Sequence, residues 1–251
     1  MKYCQEDARI VSKNKITSDV FDFVISCSQS AALAQPGQFV NILADGFTLR
    51  RPISICEIGQ GTLRLVMQVR GDGTARIAEK NVGDRLDIVA PLGHGFEIDR
   101  SKRAVLVGGG IGAPPLLELS KRFDACTAIL GFRSADAMIL QNDFEKNCET
   151  VITTDDGSAG ICGFVTQPLE EMLRSGRADV VLSCGPTPML RNVAGLCKKY
   201  GTPCQVSMEQ RMACGVGACL VCACKTKSGM RHVCKNGPVF DAAEVKWDEQ
   251  A

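Results

Sequence analysis

The run Ala104-Val-Leu-Val107-Gly108-Gly-Gly110-Ile-Gly112-Ala113-Pro114 decides how this chain folds. Four apolar residues without polar alternation read as a strand buried on both faces, as in a parallel sheet. Gly108, Gly110 and Ala113 then make a Gly-x-Gly-x-x-Ala turn into a helix expected over Pro115–Phe123. That arrangement lets a backbone approach a dinucleotide pyrophosphate at a helix start. Alone the motif is weak, and the sequence around it supplies the context. Strands are expected at Cys126–Gly131, Thr150–Thr154 and Val180–Ser183, and helices at Asp136–Asn147, Val165–Ser175 and Pro188–Tyr200. Such alternation predicts an open parallel sheet with ligand loops at the strands' carboxyl ends. Those loops are Gly108–Gly112, Thr154-Asp-Asp-Gly-Ser158 and Cys184-Gly-Pro-Thr-Pro-Met189. Phe132-Arg133 stands where an acidic ribose anchor is often found, about twenty residues beyond the glycines, so pattern alone leaves NAD and NADP both open.

Upstream, short β-runs at Ala8–Ser12, Val20–Ser26, Phe39–Ile42, Leu63–Val69 and Arg85–Ile88 are broken by Pro36-Gly37, Asp45-Gly46 and Val82-Gly83-Asp84. The one helix candidate among them is Thr74–Lys80. This spacing predicts a small antiparallel barrel. Within it, Arg50-Arg51-Pro52-Ile53-Ser54 and Gln68-Val69-Arg70-Gly71-Asp72-Gly73-Thr74 offer a guanidinium and a helix start, which together suit a pyrophosphate. An edge arginine and an ordinary turn explain the same residues.

Downstream, Cys214-Gly-Val-Gly-Ala-Cys219-Leu-Val-Cys222 is answered by Cys234. Cys-x4-Cys-x2-Cys with a distant fourth thiol is the plant-type spacing for a 2Fe-2S cluster. Zinc sites favour two Cys-x2-Cys knuckles or Cys/His pairs, and the only histidine near is His232. Cys224 is an extra thiol and reads as a neighbour of the ligands. The remaining cysteines are scattered and read as small buried side chains.

The 251 residues, 45% hydrophobic and 23% charged, suffice for two domains and an appendage. A net charge of +1 gives no electrostatic case for nucleic acid or an anionic membrane. Met1–Thr17 lacks a signal-like apolar core, and glycines and prolines interrupt Ala104–Leu119, the longest apolar region. The 14 cysteines therefore point to a reducing cytoplasm. His94 and His232 read as structural, and no acid–base or nucleophilic constellation for an organic substrate stands out.

Taken in order, the Arg-Pro-x-Ser, Gly-x-Gly-Thr, Gly-Gly-Gly-Ile-Gly, Cys-Gly-Pro-x-Pro-Met and cysteine-quartet motifs resemble the ferredoxin-NADP reductase superfamily. Within it the chain is most similar to the electron-transfer subunits of bacterial dihydroorotate dehydrogenase B, from about Ala8 to Phe240. The resemblance implies a multidomain β plus α/β protein: an FAD-binding β-barrel (1–98), a nicotinamide nucleotide-binding α/β domain (99–204) and a 2Fe-2S module (205–251). By motif, Arg51, Pro52, Ile53, Ser54, Gln68, Val69, Arg70, Gly73 and Thr74 would meet FAD. Gly110, Gly112, Cys184, Gly185 and Pro186 would border NAD, with Cys214, Cys219, Cys222 and Cys234 as cluster ligands. Many members carry an aromatic residue where Ile53 stands. An FMN-containing dihydroorotate dehydrogenase catalytic subunit is the implied partner, two copies of each forming a heterotetramer in pyrimidine synthesis. A flavin is also what the chemistry asks for, since nicotinamide exchanges electron pairs and the cluster single electrons. A reductase subunit of a hydrogenase or sulfide dehydrogenase-type complex and a cluster-based redox sensor are the other classes considered.

Overall fold

A computed structural model describes residues 2–250. Its first half is a closed six-stranded barrel built from β1 (Cys4–Lys15), β2 (Val20–Ser26), β3 (Phe39–Leu43), β4 (Arg50–Ile58), β5 (Thr62–Gln68) and β6 (Arg85–Leu92). The strand order is β1-β2-β5-β4-β3-β6, and β1 also pairs with β6, so no edge remains open. Ile10, Phe23, Ile25, Val40, Ile42, Ile55, Leu65 and Ile88 fill the interior. Two short helices, α1 (Ser28–Leu33) and α2 (Asp72–Ala78), follow β2 and β5. β4 lies outside the β-runs expected from sequence, where Arg-Pro-x-Ser reads only as a strand end, because Arg50-Arg51-Pro52 opens it with two charges and a residue lacking N–H. Both neighbours pair with it nonetheless, and Pro52 lies opposite Asn41.

The second half is a sheet in the order β10-β9-β8-β7-β11-β12-β15. β7 (Arg103–Gly109), β8 (Ala125–Phe132), β9 (Glu149–Thr154), β10 (Ile161–Cys162), β11 (Val180–Cys184) and β12 (Cys204–Ser207) run parallel, and β15 (Val239–Asp241) closes the edge antiparallel to β12. Val105 and Val107 of β7 face one core, and Ala104 and Leu106 the other. This is why the apolar run shows no alternation. α3 (Pro114–Ser120), α5 (Thr166–Arg174) and α6 (Thr187–Tyr200) take up the positions expected of them within a few residues. The helix expected over Asp136–Asn147 is instead a 3-10 turn at Ala135–Ala137, an extended Met138 and then α4 (Gln141–Glu145). Leu140 at φ 60° breaks it.

The βα rhythm does not stop at Gln205. β12 crosses the boundary expected at 204/205, and after the cysteine loop β13 (Ala223–Thr226), β14 (Gly229–His232) and α7 (Val233–Asn236), the chain returns to the same sheet as β15. Phe39 and Leu92 of the barrel, Val206 of β12, Met208 just after it, and Cys222, Val233 and Cys234 share one core. Among the described residues no helix is long and apolar enough to cross a membrane.

Candidate redox site

The strand order turns back between β7 and β11, and the loops leaving their carboxyl ends meet there. A Cβ on Gly112 would run into the carbonyl of Cys184, so only glycine allows the two loops to touch. Ser183 pins the strands from below by donating to the Val107 carbonyl at 2.9 Å. Above the loops opens a cavity of 920 Å³, bordered by Gly110, Gly112, Gly185 and Pro186 on the sheet side and by Gln68 and Arg70 on the barrel side. Cys184 lies beneath this lining, 2% exposed, and burial pushes its thiol up to about 12, so it stays neutral.

Arg51, Pro52, Ile53 and Ser54 border no part of that cavity. They lie in the first half of β4, where residues 50–54 are half-exposed and pair with β3 alone, β5 joining the strand only from Ile55 onward. A shelf of this kind accepts a flat group. Its two arginines differ in use. Arg50 is committed to Asp87 of β6 through bonds of 2.9 and 3.0 Å. Arg51 makes no ion pair among the described residues; it donates to the Leu49 carbonyl at 2.7 Å and lies over the Phe47 ring. The Arg51 guanidinium fills the space a side chain on Gly73 would need, which brings the two motif residues together at the start of α2. Thr74 Oγ1 accepts from the Arg70 and Gly71 N–H groups and ties down that turn, while the Val69 N–H goes to the Asp19 carbonyl. Gln68 donates to Asp19 at 2.7 Å, which holds the Asp19 carboxyl below its usual range.

The four motif cysteines gather as two pairs. Cys214 and Cys219 lie on the accessible side, and Cys214 Sγ accepts N–H groups from Val216 (3.4 Å), Ala218 (3.2 Å) and Cys219 (3.4 Å). Burial pushes the Cys214 thiol up, but these donors outweigh it and bring it to about 6, a thiolate at neutral pH. Cys222 and Cys234 are buried with their sulfurs 3.2 Å apart, and burial followed by the neighbouring Cys222 pushes Cys234 up to about 12. Among the described residues no three His, Cys, Asp or Glu side chains close on one point, as a single metal ion requires. Two thiol pairs with backbone N–H groups aimed at sulfur suit a cluster in which each of two irons takes two ligands. Cys224 stands apart, its sulfur 3.5 Å from Gln250 Oε1.

The chain is 40% identical to the dihydroorotate dehydrogenase B (NAD(+)) electron transfer subunit of Caldanaerobacter subterraneus subsp. tengcongensis, over 95% of this chain and 97% of that one. It belongs to this family of electron-transfer subunits. The subunit of the same description from Geobacillus thermodenitrificans is 41% identical, over 96% and 98% of the two chains. Residues 209–246 match the family described as the iron-sulfur cluster binding domain of dihydroorotate dehydrogenase B. Among solved structures, a chain of an NADH-dependent reduced ferredoxin-NADP oxidoreductase, studied for flavin-based electron bifurcation, superposes with a TM-score of 0.90 at 34% identity. It covers 97% of this chain, which spans 91% of it. A ferredoxin NADP+ reductase from Neisseria gonorrhoeae, TM-score 0.62 and 18% identity over 80% of this chain and 92% of its own, shares the fold.

Two cavity residues of this family member gave no sequence signal. Phe164, 69% exposed, borders the cavity just after β10. Glu209, exposed, borders it at the start of the cysteine loop. Desolvation raises its carboxyl above the usual range, with Arg70 pulling the other way. Their importance comes from where the chain crosses itself, which no local spacing records.

Proposed function

We propose that this chain carries electrons from a partner dihydroorotate dehydrogenase subunit to NAD+, in the synthesis of UMP. The observation that carries the reading is the two thiol pairs that the cysteine loop sets beside the barrel, in a chain 40% identical to such subunits over 95% of its length. When bound, FAD supplies the exchange between hydride at a nicotinamide and single electrons at a 2Fe-2S cluster.

Each part has its own residues. Cys214, Cys219, Cys222 and Cys234 are the ligands. Arg51, with no carboxylate to neutralise it, holds the FAD pyrophosphate with Gly73 and Thr74, while Pro52, Ile53 and Ser54 support the ring and Gln68, Val69 and Arg70 border it. Gly110, Gly112, Gly185 and Pro186 admit the nicotinamide nucleotide close to the backbone, over a neutral Cys184. The division of labour follows 1–98, 99–204 and 205–251, except that β12 and β15 lend residues past 204 to the nucleotide-binding sheet. Leu220, Val221 and Met230, 53–60% exposed in the cluster module, form the face for an FMN-containing catalytic subunit. We place two of each in a cytoplasmic assembly.

The test is reconstitution. With the catalytic subunit present, dihydroorotate should reduce NAD+; alone, this chain should pass electrons from NADH to ferricyanide and leave dihydroorotate untouched. Dihydroorotate oxidation by the isolated chain would overturn the reading. A second reading rests on the likeness, at 34% identity, to the reduced ferredoxin-NADP oxidoreductase chain. The subunit that copurifies, and whether dihydroorotate or ferredoxin drives the complex, separates the two.

A further inference from the structure

Asn41 sits in the wall of the barrel where the cluster loop leans on it. Val40 and Ile42, on either side of it in β3, point into the barrel core. Asn41 therefore points outward, as does Phe39, which packs with the cluster module. The seam there is otherwise apolar, with Val89 and Leu92 from β6 and Met212 and Val216 from the loop. Asn41 is 1% exposed. Its Nδ2 donates to the Cys214 carbonyl over a long 3.5 Å, and its Oδ1 has no partner among the described residues. The reverse amide orientation would set two oxygens against each other. Gly215, at φ 72°, packs so closely on this amide that any Cβ there would strike Nδ2.

A leucine has the same branching and the same number of heavy atoms and would complete the apolar seam without burying an unpaired oxygen. The amide is therefore explained by what its N–H groups do. It restrains the Cys214 carbonyl, the start of the turn whose next N–H groups, from Val216, Ala218 and Cys219, aim at Cys214 Sγ. Hydrogen bonds to ligand sulfur favour the more negative, reduced cluster and raise its potential.

We infer that Asn41 is a positioning residue for the iron–sulfur cluster: holding the Cys214 carbonyl from the barrel wall, it keeps the turn's N–H donors on the ligand sulfur and the reduction potential up. The inference rests on Cys214 being a ligand, as proposed above. In the full chain with both cofactors, a redox titration followed by electron paramagnetic resonance reads the cluster, and visible absorption reads the FAD. Asn41→Leu should keep its iron and shift the cluster's one-electron equilibrium about tenfold towards the oxidised form, which is about 59 mV. Asn41→Asp, of the same shape but negative, should shift it further, and the FAD potential should stay in place in both. An unchanged cluster potential in both variants overturns the inference. So does a variant that loses iron while keeping FAD, since Asn41 would then build the loop rather than tune it. Retention of the wild-type cluster spectrum in Cys214→Ser would instead overturn the ligand assignment.

Discussion

The barrel meets the rest of the chain along two seams of opposite chemistry. Towards α3 and α4 the contact is charged: Arg64 of β5 pairs with Asp22 (2.9 Å) and Glu57 on the barrel's outer face and with Asp143 (3.0 Å) of α4. Beside it Glu57 takes Lys121, and the 3% exposed Glu118 accepts the Ile58 N–H while paired with Arg122. Around the cluster loop the contact is apolar apart from Asn41, with hydrogen bonds only at its margin, where Gln205 exchanges two with the Glu97 backbone and the His94 N–H meets the Gly237 carbonyl. Paired charges fix direction and register because each needs its partner, and they hold the barrel and sheet square across the cavity. Apolar packing gives the cluster loop a dry wall on its inner side, while Cys219 stays exposed. The difference teaches that one barrel aligns two bodies by two means, and each can be broken separately.

The largest effect should come from the apolar side. Ser replacement of Cys214, Cys219, Cys222 or Cys234 should abolish the iron–sulfur absorption and stop dihydroorotate-driven NAD+ reduction in the assembled complex. NADH–ferricyanide activity should survive, because the charged seam and the cavity are untouched. Loss of both activities together would show the seams to be coupled. Next in size, Arg51→Ala removes a guanidinium whose only polar partners are backbone carbonyls. With charge-assisted bonds worth roughly 1.5–3 kcal/mol each, FAD affinity measured by fluorescence should fall at least tenfold. Full occupancy in that variant would move the pyrophosphate elsewhere.

The charged seam should answer to pH. Burial pushes Glu57 and Asp143 up, but Lys121 with Arg64, and Lys146 with Arg64, hold both carboxyls below their ordinary 4.5 and 3.8. A depressed carboxyl stabilises the fold fully above its unfolded value, and this is lost as pH falls through the folded one. Thermal stability should therefore drop below about pH 4. Arg64→Met should cost roughly 1–3 kcal/mol at pH 7, discounted for partial exposure, and should flatten the acid limb. An acid limb as steep as in wild type would place the titrating groups outside this seam.

The same contrast explains what could be read in advance. Buried parallel strands announce themselves by composition, and thiol ligands by spacing, so β7, its glycine turn and the cysteine loop were legible. β4 was not, because the residues that make it a ligand shelf, Arg50-Arg51-Pro52, are the ones that disguise a strand. Likewise β15 rejoins the sheet on the far side of the cysteine loop in sequence, and Asn41, Phe164 and Glu209 gain their surroundings from segments far away in sequence. Cores and ligand sets are written locally, whereas seams are written between elements.

The smallest effect should belong to Cys224, the fifth thiol of the cluster module. It is fully buried in the apolar core shared by the barrel and the module, and burial alone raises its thiol. Cys234, by contrast, feels both Cys222 and Cys214. The only side-chain hydrogen bond of Cys224 runs to Gln250, away from the quartet. Cys224→Ser should thus leave absorption and paramagnetic resonance spectra as in wild type and cost only about 1 kcal/mol for a hydroxyl in an apolar place. Cys222→Ser, two residues earlier and equally buried, should bleach the protein. The pair of variants makes burial constant and changes only membership of the quartet. If Cys224→Ser bleaches and Cys222→Ser does not, the ligand set shifts by two residues, and the inner sulfur pair observed here is packing rather than chemistry.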